Sequence, residues 1–251
     1  MYRKFFKRFF DIILSLLAII VTALPLLIIC IVVKCDSKGP AIFKSQRIGK
    51  DGKVFNLYKV RSMTSDAPDN MATRHIDGKK YITKVGRFLR KSSLDELPQF
   101  FNVLKGDMSI IGPRPACLCE DVLHQLRFQK GVYAVRPGIT GLAQVNGRDV
   151  LALDSQNKVE LDEKYVEKIT FCKDLKIFFK TFIVVFKAES VVEGHGAETE
   201  PAVEITPEEI SERYGQGVST GEPSVREEVE EVAVAEVDKE PAVDASEEGQ
   251  E

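Results

Sequence analysis

The chain has 251 residues, room for one large or two small domains, and a formal net charge of -3 that hides a division. Residues 201–251 carry 16 acidic and 3 basic residues, so the first 200 are net positive by 10. A basic body suits an anionic membrane surface or a phosphorylated substrate, and no nucleic-acid partner is expected. Five cysteines (Cys30, Cys35, Cys117, Cys119, Cys172) and three scattered histidines give no usual zinc spacing and read as reduced, structural groups on a cytosolic face.

The segment Arg3-Lys4-Phe5-Phe6-Lys7-Arg8 is a basic, aromatic entry to an apolar run from Ile12 to Val33. That run is long enough to span a bilayer and lacks a signal-peptide cleavage pattern. Pro25 sits within it and removes a backbone donor. Basic residues flank both ends, with Lys34 and Lys38 following, so charge gives no clear orientation. A re-entrant segment broken at Pro25 and a Pro-kinked single span both remain open on these residues alone.

Residues 40–44 and 53–60 alternate in polarity around Asp51-Gly52 and read as a β-hairpin. The second run leads into Lys59-Val60-Arg61, two cations with period-two spacing that suit a phosphate or a headgroup plane, or simply a solvated edge strand. Ser65 to Lys80 reads as a loop. Thr83 to Lys91 reads as an amphipathic surface helix with Lys84, Arg87 and Arg90 outward.

The stretch Ser92-Ser93-Leu94-Asp95-Glu96-Leu97-Pro98-Gln99 places two carboxylates at the start of an apolar helical run that Gly106 stops. Ser93 and Glu96 have capping-box spacing, whereas Pro98 fits better a helix capped by Asp95. Under either reading Asp95 sits at a helix N-terminus that favours an ionised carboxylate. Near Arg87, Arg90 and Lys91 it is suited to attack phosphorus or hold a divalent cation. A purely capping role is the alternative.

Met108 to Ile111 reads as a strand entering Gly112-Pro113-Arg114-Pro115, where two prolines fix Arg114 for bidentate phosphate contact or as a structural turn residue. Cys119 to Lys130 reads as a helix. Arg136-Pro137-Gly138-Ile139-Thr140-Gly141 is a second rigid loop, leading to a strand-like Leu142-Ala143-Gln144-Val145-Asn146. Arg136, Pro137, Gly138, Thr140, Gln144 and Arg148 form a candidate nucleotide or substrate loop. Two helices follow, over Leu153 to Ile169 and Leu175 to Phe186. From about Ala197 the composition is that of a disordered acidic tail.

In this order and spacing, the Pro-interrupted N-terminal segment, Lys59 to Met63, Ser93 to Gln99, Gly106 to Pro115 and Arg136 to Arg148 resemble the small monotopic phosphoglycosyl transferases. These are bacterial sugar transferases that start glycan assembly on polyprenol phosphate. The resemblance covers roughly residues 5 to 200, and Val191 to Gly196 looks like members acting on a UDP-bacillosamine-type sugar.

It implies an α+β monotopic membrane protein: a re-entrant helix hairpin over 1–36, a cytosolic transferase domain over 37–200 with a small β-hairpin and surface amphipathic helices, and a tail over 201–251. The break is usually Ser-Pro in that family, and here it is Leu24-Pro25. The resemblance also implies that Asp95 attacks the sugar-linked phosphorus of a UDP-sugar, releasing UMP, before polyprenyl (undecaprenyl) phosphate takes the phosphosugar. Glu96 would position or deprotonate the acceptor. Lys59, Arg90 and Arg114 would clamp phosphate, and Asp95 would hold Mg²⁺.

Membrane lipid is a further implied partner and a homodimer is left open; the place implied is the cytoplasmic face of the bacterial inner membrane. An inactive nucleotide-sugar-binding scaffold, the same reaction with galactose or glucose, and a bitopic adaptor are the competing readings.

Overall fold

The computed structural model describes residues 2–67, 78–146 and 155–186, all within a unit that ends at Gly217. A π-helical turn (Tyr2–Phe6) runs into helix α1 (Lys7–Asp36). By length and composition α1 can cross a membrane. Its apolar residues keep it helical, and the two polar groups within it are satisfied locally: the Ser15 and Thr22 hydroxyls donate to the Asp11 and Ala18 carbonyls at 2.6 and 2.7 Å. Pro25 lies inside the helix without ending it. Where two limbs were expected there is one continuous helix, because a proline removes one rung of the ladder and leaves the others.

One face of α1 meets the rest of the unit. Asp11, Ser15 and Val33 are buried, and Ile19, Thr22, Leu26 and Ile29 are half-buried, a stripe at helical spacing. From Lys7 to Val33 that stripe runs about 39 Å at 1.5 Å per residue. Both ends are fastened. At the first, Lys7 Nζ lies 2.7 Å from Asp174, and Asp11 Oδ1 accepts from the Ile110 N–H and the Ser109 hydroxyl at 3.0 Å each. At the second, the Arg61 guanidinium donates to the Val33 and Ser37 carbonyls at 3.2 and 2.6 Å. A cation there satisfies orphan carbonyls and opposes the negative end of the helix dipole. Arg61 is therefore a helix cap, not the second phosphate cation that its spacing from Lys59 suggested.

Strands β1 (Ile42–Ile48) and β2 (Val54–Val60) form the expected antiparallel hairpin, with Ile42 opposite Val60 and Ile48 opposite Val54. Asp51 and Gly52 take positive φ, 57° and 74°, in the turn. After a short helix α2 (Gly78–Tyr81), helix α3 (Lys84–Lys91) opens on Thr83, whose hydroxyl accepts the Gly86 N–H at 2.9 Å. A 3₁₀ turn (Leu94–Glu96) and Pro98 precede helix α4 (Gln99–Lys105). Strand β3 (Ser109–Ile111) pairs in parallel with β4 (Gly138–Thr140).

Helices α5 (Asp121–Gln129), α6 (Leu142–Val145), α7 (Ser155–Glu167) and α8 (Phe171–Phe186) complete the described fold. Leu142 to Val145 is thus a helical turn and the strand precedes it; a run this short does not distinguish the two periods. The main core joins Leu57, Val103, Met108, Ile111, Tyr165 and Ile177. A second cluster of Val33, Val60 and Leu89 ties α1 to the hairpin and to α3. The acidic tail and most of the 65–80 loop lie outside the described residues.

Candidate active site

The loop between α3 and α4 presents the two carboxylates. Ser93 takes φ 57°, ψ 17°, an uncommon left-handed conformation for a residue with a Cβ, and turns the chain into the 3₁₀ segment that carries Asp95 and Glu96. Neither expected capping arrangement forms: Ser93 makes no side-chain cap, and Pro98 occupies the position before α4. Both carboxylates are instead turned inward, each 8% exposed.

Three of the expected cations converge on them. Arg114 Nη2 lies 2.5 Å from Glu96 Oε1, with Nη1 3.4 Å from Oε2. Lys59 Nζ, reaching in from β2, lies 3.5 Å from Glu96 Oε1. Arg90, in the last turn of α3, acts electrostatically on Asp95. Burial pushes the Asp95 carboxyl above the usual range, with Glu96 adding to the effect and Lys59, Arg90 and Arg114 opposing it. The expectation of a carboxylate held ionised by a helix N-terminus is therefore reversed, since desolvation outweighs the surrounding cations. Burial likewise lowers Lys59, while Glu96 raises Arg114.

A pair of buried polar residues that no motif flagged sets this geometry. Asn102 is fully buried on α4; its Oδ1 accepts the Tyr58 N–H at 3.0 Å and its Nδ2 donates to the Asn56 carbonyl at 2.7 Å. It pins β2, and so Lys59, against the helix that follows the dyad. Arg127, on α5, donates to the Arg114 carbonyl at 2.8 Å and pairs with Asp162 at 2.6 Å, both side chains 1% exposed. The signal for both was a polar residue on the apolar face of a helix.

The second rigid loop has other partners. Arg136 Nε donates to the Gly106 carbonyl at 2.8 Å, and the Thr140 hydroxyl meets Thr181 at 2.8 Å. Gln144 donates to the Ile139 carbonyl at 2.9 Å. A Cβ on Gly138 would stand 2.1 Å from the Gly112 nitrogen, so glycine serves backbone-to-backbone packing there. The contacts of Arg136, Pro137, Gly138, Thr140 and Gln144 thus belong to the β3–β4 packing, and Arg148 lies outside the described residues.

The sequence model of the bacterial sugar transferase family matches residues 2–188. The chain belongs to the bacterial sugar transferase family. A UDP-glucose:undecaprenyl-phosphate glucose-1-phosphate transferase of Klebsiella pneumoniae is 44% identical over 188 residues, 72% of this chain and 40% of the relative. An undecaprenyl-phosphate galactose phosphotransferase of Salmonella typhimurium is 41% identical over 207 residues, 74% of this chain and 41% of the relative. An uncharacterized sugar transferase of Bacillus subtilis, EpsL, is 40% identical over 187 residues, 74% of this chain and 89% of the relative. The chain spans about 40% of the length of the first two of these sugar transferases.

For a divalent cation the donor set is sparse: among the described residues no three His, Cys, Asp or Glu cluster as ligands. Glu96 is engaged by Arg114 and Lys59, and Asp95 lies buried beside it. One carboxylate completed by substrate phosphates is how Mg²⁺ is commonly bound, so the residues present fit that ion.

Proposed function

We propose that this sugar transferase moves a sugar-1-phosphate from a UDP-sugar to undecaprenyl phosphate, with Asp95 as covalent nucleophile. The observation that carries the reading is the pair of buried carboxylates facing Lys59, Arg90 and Arg114, in a family whose relatives bear the names given above. In the first half-reaction an Asp95 oxygen forms a bond to the sugar-linked phosphorus. The bond from that phosphorus to the bridging oxygen breaks, and UMP leaves with its electron pair. In the second half-reaction an oxygen of the acceptor phosphate attacks the same phosphorus and the Asp95 carboxylate departs.

Lys59, Arg90 and Arg114 hold phosphate oxygens, and Glu96 fixes the Arg114 fork and faces the acceptor. Mg²⁺ bound by Asp95 and the diphosphate would neutralise charge on the transferring group. An N-acetylated amino sugar of the bacillosamine type is the donor suggested by Val191 to Gly196, residues outside those described. The relatives named for glucose and galactose favour a hexose. A panel of UDP-sugars offered to washed membranes, read as UMP release, separates the two. Absence of release with every UDP-sugar would favour a binding scaffold and overturn the enzyme reading.

The proposed setting is the cytoplasmic face of the inner membrane, with α1 held in one leaflet. What supports it is that α1 lies along its own domain and is fastened to it at both ends. A spanning pose would carry that polar domain surface into hydrocarbon, about 30 Å thick, where unsatisfied groups are costly. The opposite face exposes Ile13, Leu17, Ile20, Leu24 and Ile31 to lipid. A cysteine at position 2 should stay protected from an impermeant reagent in spheroplasts; labelling there would show a crossing.

A further inference from the structure

Between its two fastenings α1 does not close down on the domain. It leaves an apolar groove of about 660 Å³, walled by Ile19, Ala23 and Leu26 on α1 and by Leu97, Phe101 and Leu104 on α4. Protein interiors are close-packed, and a void this large between two helices loses both dispersion contacts and burial unless something fills it. Its walls offer aliphatic and aromatic carbon with almost no hydrogen-bonding groups. That chemistry rejects a nucleotide or sugar and accepts a hydrocarbon chain.

The position of the groove is as informative as its lining. Leu97 and Pro98 continue directly from Asp95 and Glu96. Ile42 and Tyr58 line it from the hairpin; Ile42 pairs with Val60, and Tyr58 is next to Lys59. Both elements that supply reacting groups therefore also border the groove, and its other wall is the helix proposed to lie in lipid. Lys105 stands at the rim, its ammonium 5.4 Å from the Tyr58 ring centroid. Small side chains, Thr22 and Ala23, occupy α1 where the gap is widest in apolar contacts, whereas Leu26 and Val33 pack against the domain further on.

We propose that this groove holds the prenyl chain of the acceptor, so that a chain lying between α1 and α4 brings its phosphate to the dyad at the start of α4. The proposal rests on the reading that the acceptor is a polyprenyl phosphate. Bulk lipid entering the same gap is the competing occupant, and it differs by being indifferent to the acceptor.

The test uses the full chain in nanodiscs of phosphatidylcholine and phosphatidylglycerol, with undecaprenyl phosphate carrying a photoreactive group on its first isoprene units. Crosslinks should map to residues 19–30 and 97–105 and be displaced by unlabelled undecaprenyl phosphate, but not by extra phosphatidylglycerol. Crosslinks confined to the outer face of α1, at Ile20, Val21 and Leu24, or insensitivity to the unlabelled acceptor, overturn the proposal.

A groove-filling change, Ala23→Phe, should raise the KM for acceptor on the order of tenfold. Its single-turnover burst of UMP without acceptor reports the first half-reaction and the folded fraction. A normal burst with unchanged acceptor KM defeats the groove alone. If no UDP-sugar gives a burst in the unaltered protein, the reaction itself has been misread.

Discussion

Two rigid, proline-bearing arginine turns look alike in this sequence and end in different uses. Gly112-Pro113-Arg114-Pro115 sends its guanidinium to a buried carboxylate, Glu96 at 2.5 Å. Arg136-Pro137-Gly138 sends its own to a backbone carbonyl, Gly106 at 2.8 Å, beyond the C-terminus of α4. The two turns are neighbours: Gly138 donates its N–H to the Pro113 carbonyl at 2.8 Å, and a Cβ on Gly112 would stand 2.6 Å from the Arg136 carbonyl. Proline and glycine fix a backbone; what an arginine does depends on the acceptor that the fold brings to it. A carboxylate in a desolvated site makes a charge-assisted fork, whereas helix-end carbonyls make a cap.

The comparison is most sharply tested at the dyad that the first turn serves. Asp95→Asn keeps shape and burial but removes the nucleophile, and should lower UMP release and UMP–UDP-sugar exchange by on the order of 10³-fold or more. Retention of a tenth of the rate would end the assignment. Because burial raises the Asp95 pKa, the acid limb of kcat/KM for the UDP-sugar should lie above the ordinary carboxylate range. Lys59→Gln removes the largest opposing cation and should move that limb to higher pH. A limb that stays in place would separate Asp95 from the titration.

Next in size is the first arginine itself. Arg114→Ala should cost about 10²–10³-fold in rate, because it strips a fixed cation from a low-dielectric site. Arg114→Lys should recover only part of this, since a point charge does not replace a planar fork. Equal rates for the lysine variant and the parent would mean that charge alone matters.

Much of this site was legible because its residues are close in sequence or carry spacing: the dyad, Lys59, Arg90 and Arg114 all sit where their motifs suggested. The hairpin and most helices followed from periodicity. What the sequence hid was long-range. Nothing near Arg61 says that it will cap a helix ending at Asp36, and nothing near Asn102 says that it will bind the backbone of β2. The glycines of the second loop suggested approach to a nucleotide, but the chain they approach is their own. Local pattern also gave the wrong sign for Asp95, because a motif shows the neighbouring charges and not the depth of burial.

A smaller effect, in stability, lies behind the first turn. His124 is 1% exposed, with Nε2 2.7 Å from the Cys117 carbonyl and Nδ1 2.5 Å from the Tyr133 hydroxyl. A carbonyl only accepts, so Nε2 carries the proton and Nδ1 accepts from Tyr133. Burial lowers its pKa from 6.5 to about 4; Arg127 adds to this, while the Cys117 carbonyl, Glu120 and Asp121 oppose it. The neutral ring's contribution is full above pH 6.5 and is lost as pH falls from there to about 4. That amounts to about 3 kcal/mol across the window. Denaturant melts of His124→Gln should lack most of this acid slope. An unchanged slope would assign it to other groups.

The smallest expected effect belongs to the second arginine, and it closes the comparison. If Arg136 is a cap, Arg136→Ala should cost about 1–2 kcal/mol of stability, the range for a hydrogen bond from a charged donor to a carbonyl. That corresponds to a fall of several degrees in Tm at this size. Arg8 shares the duty, donating to the Val103 and Leu104 carbonyls at 2.6 and 3.0 Å, so α4 keeps most of its cap and the protein should still fold. The rate per folded molecule should then stay within a few-fold of the parent, since no contact of Arg136 runs to Asp95 or Glu96. Arg136→Lys separates the two roles further: it retains a cation for a phosphate but loses the planar Nε donor. A stable Arg136→Ala protein with a hundredfold higher KM for UDP-sugar would return this loop to the substrate site, and the two turns would then share one function after all.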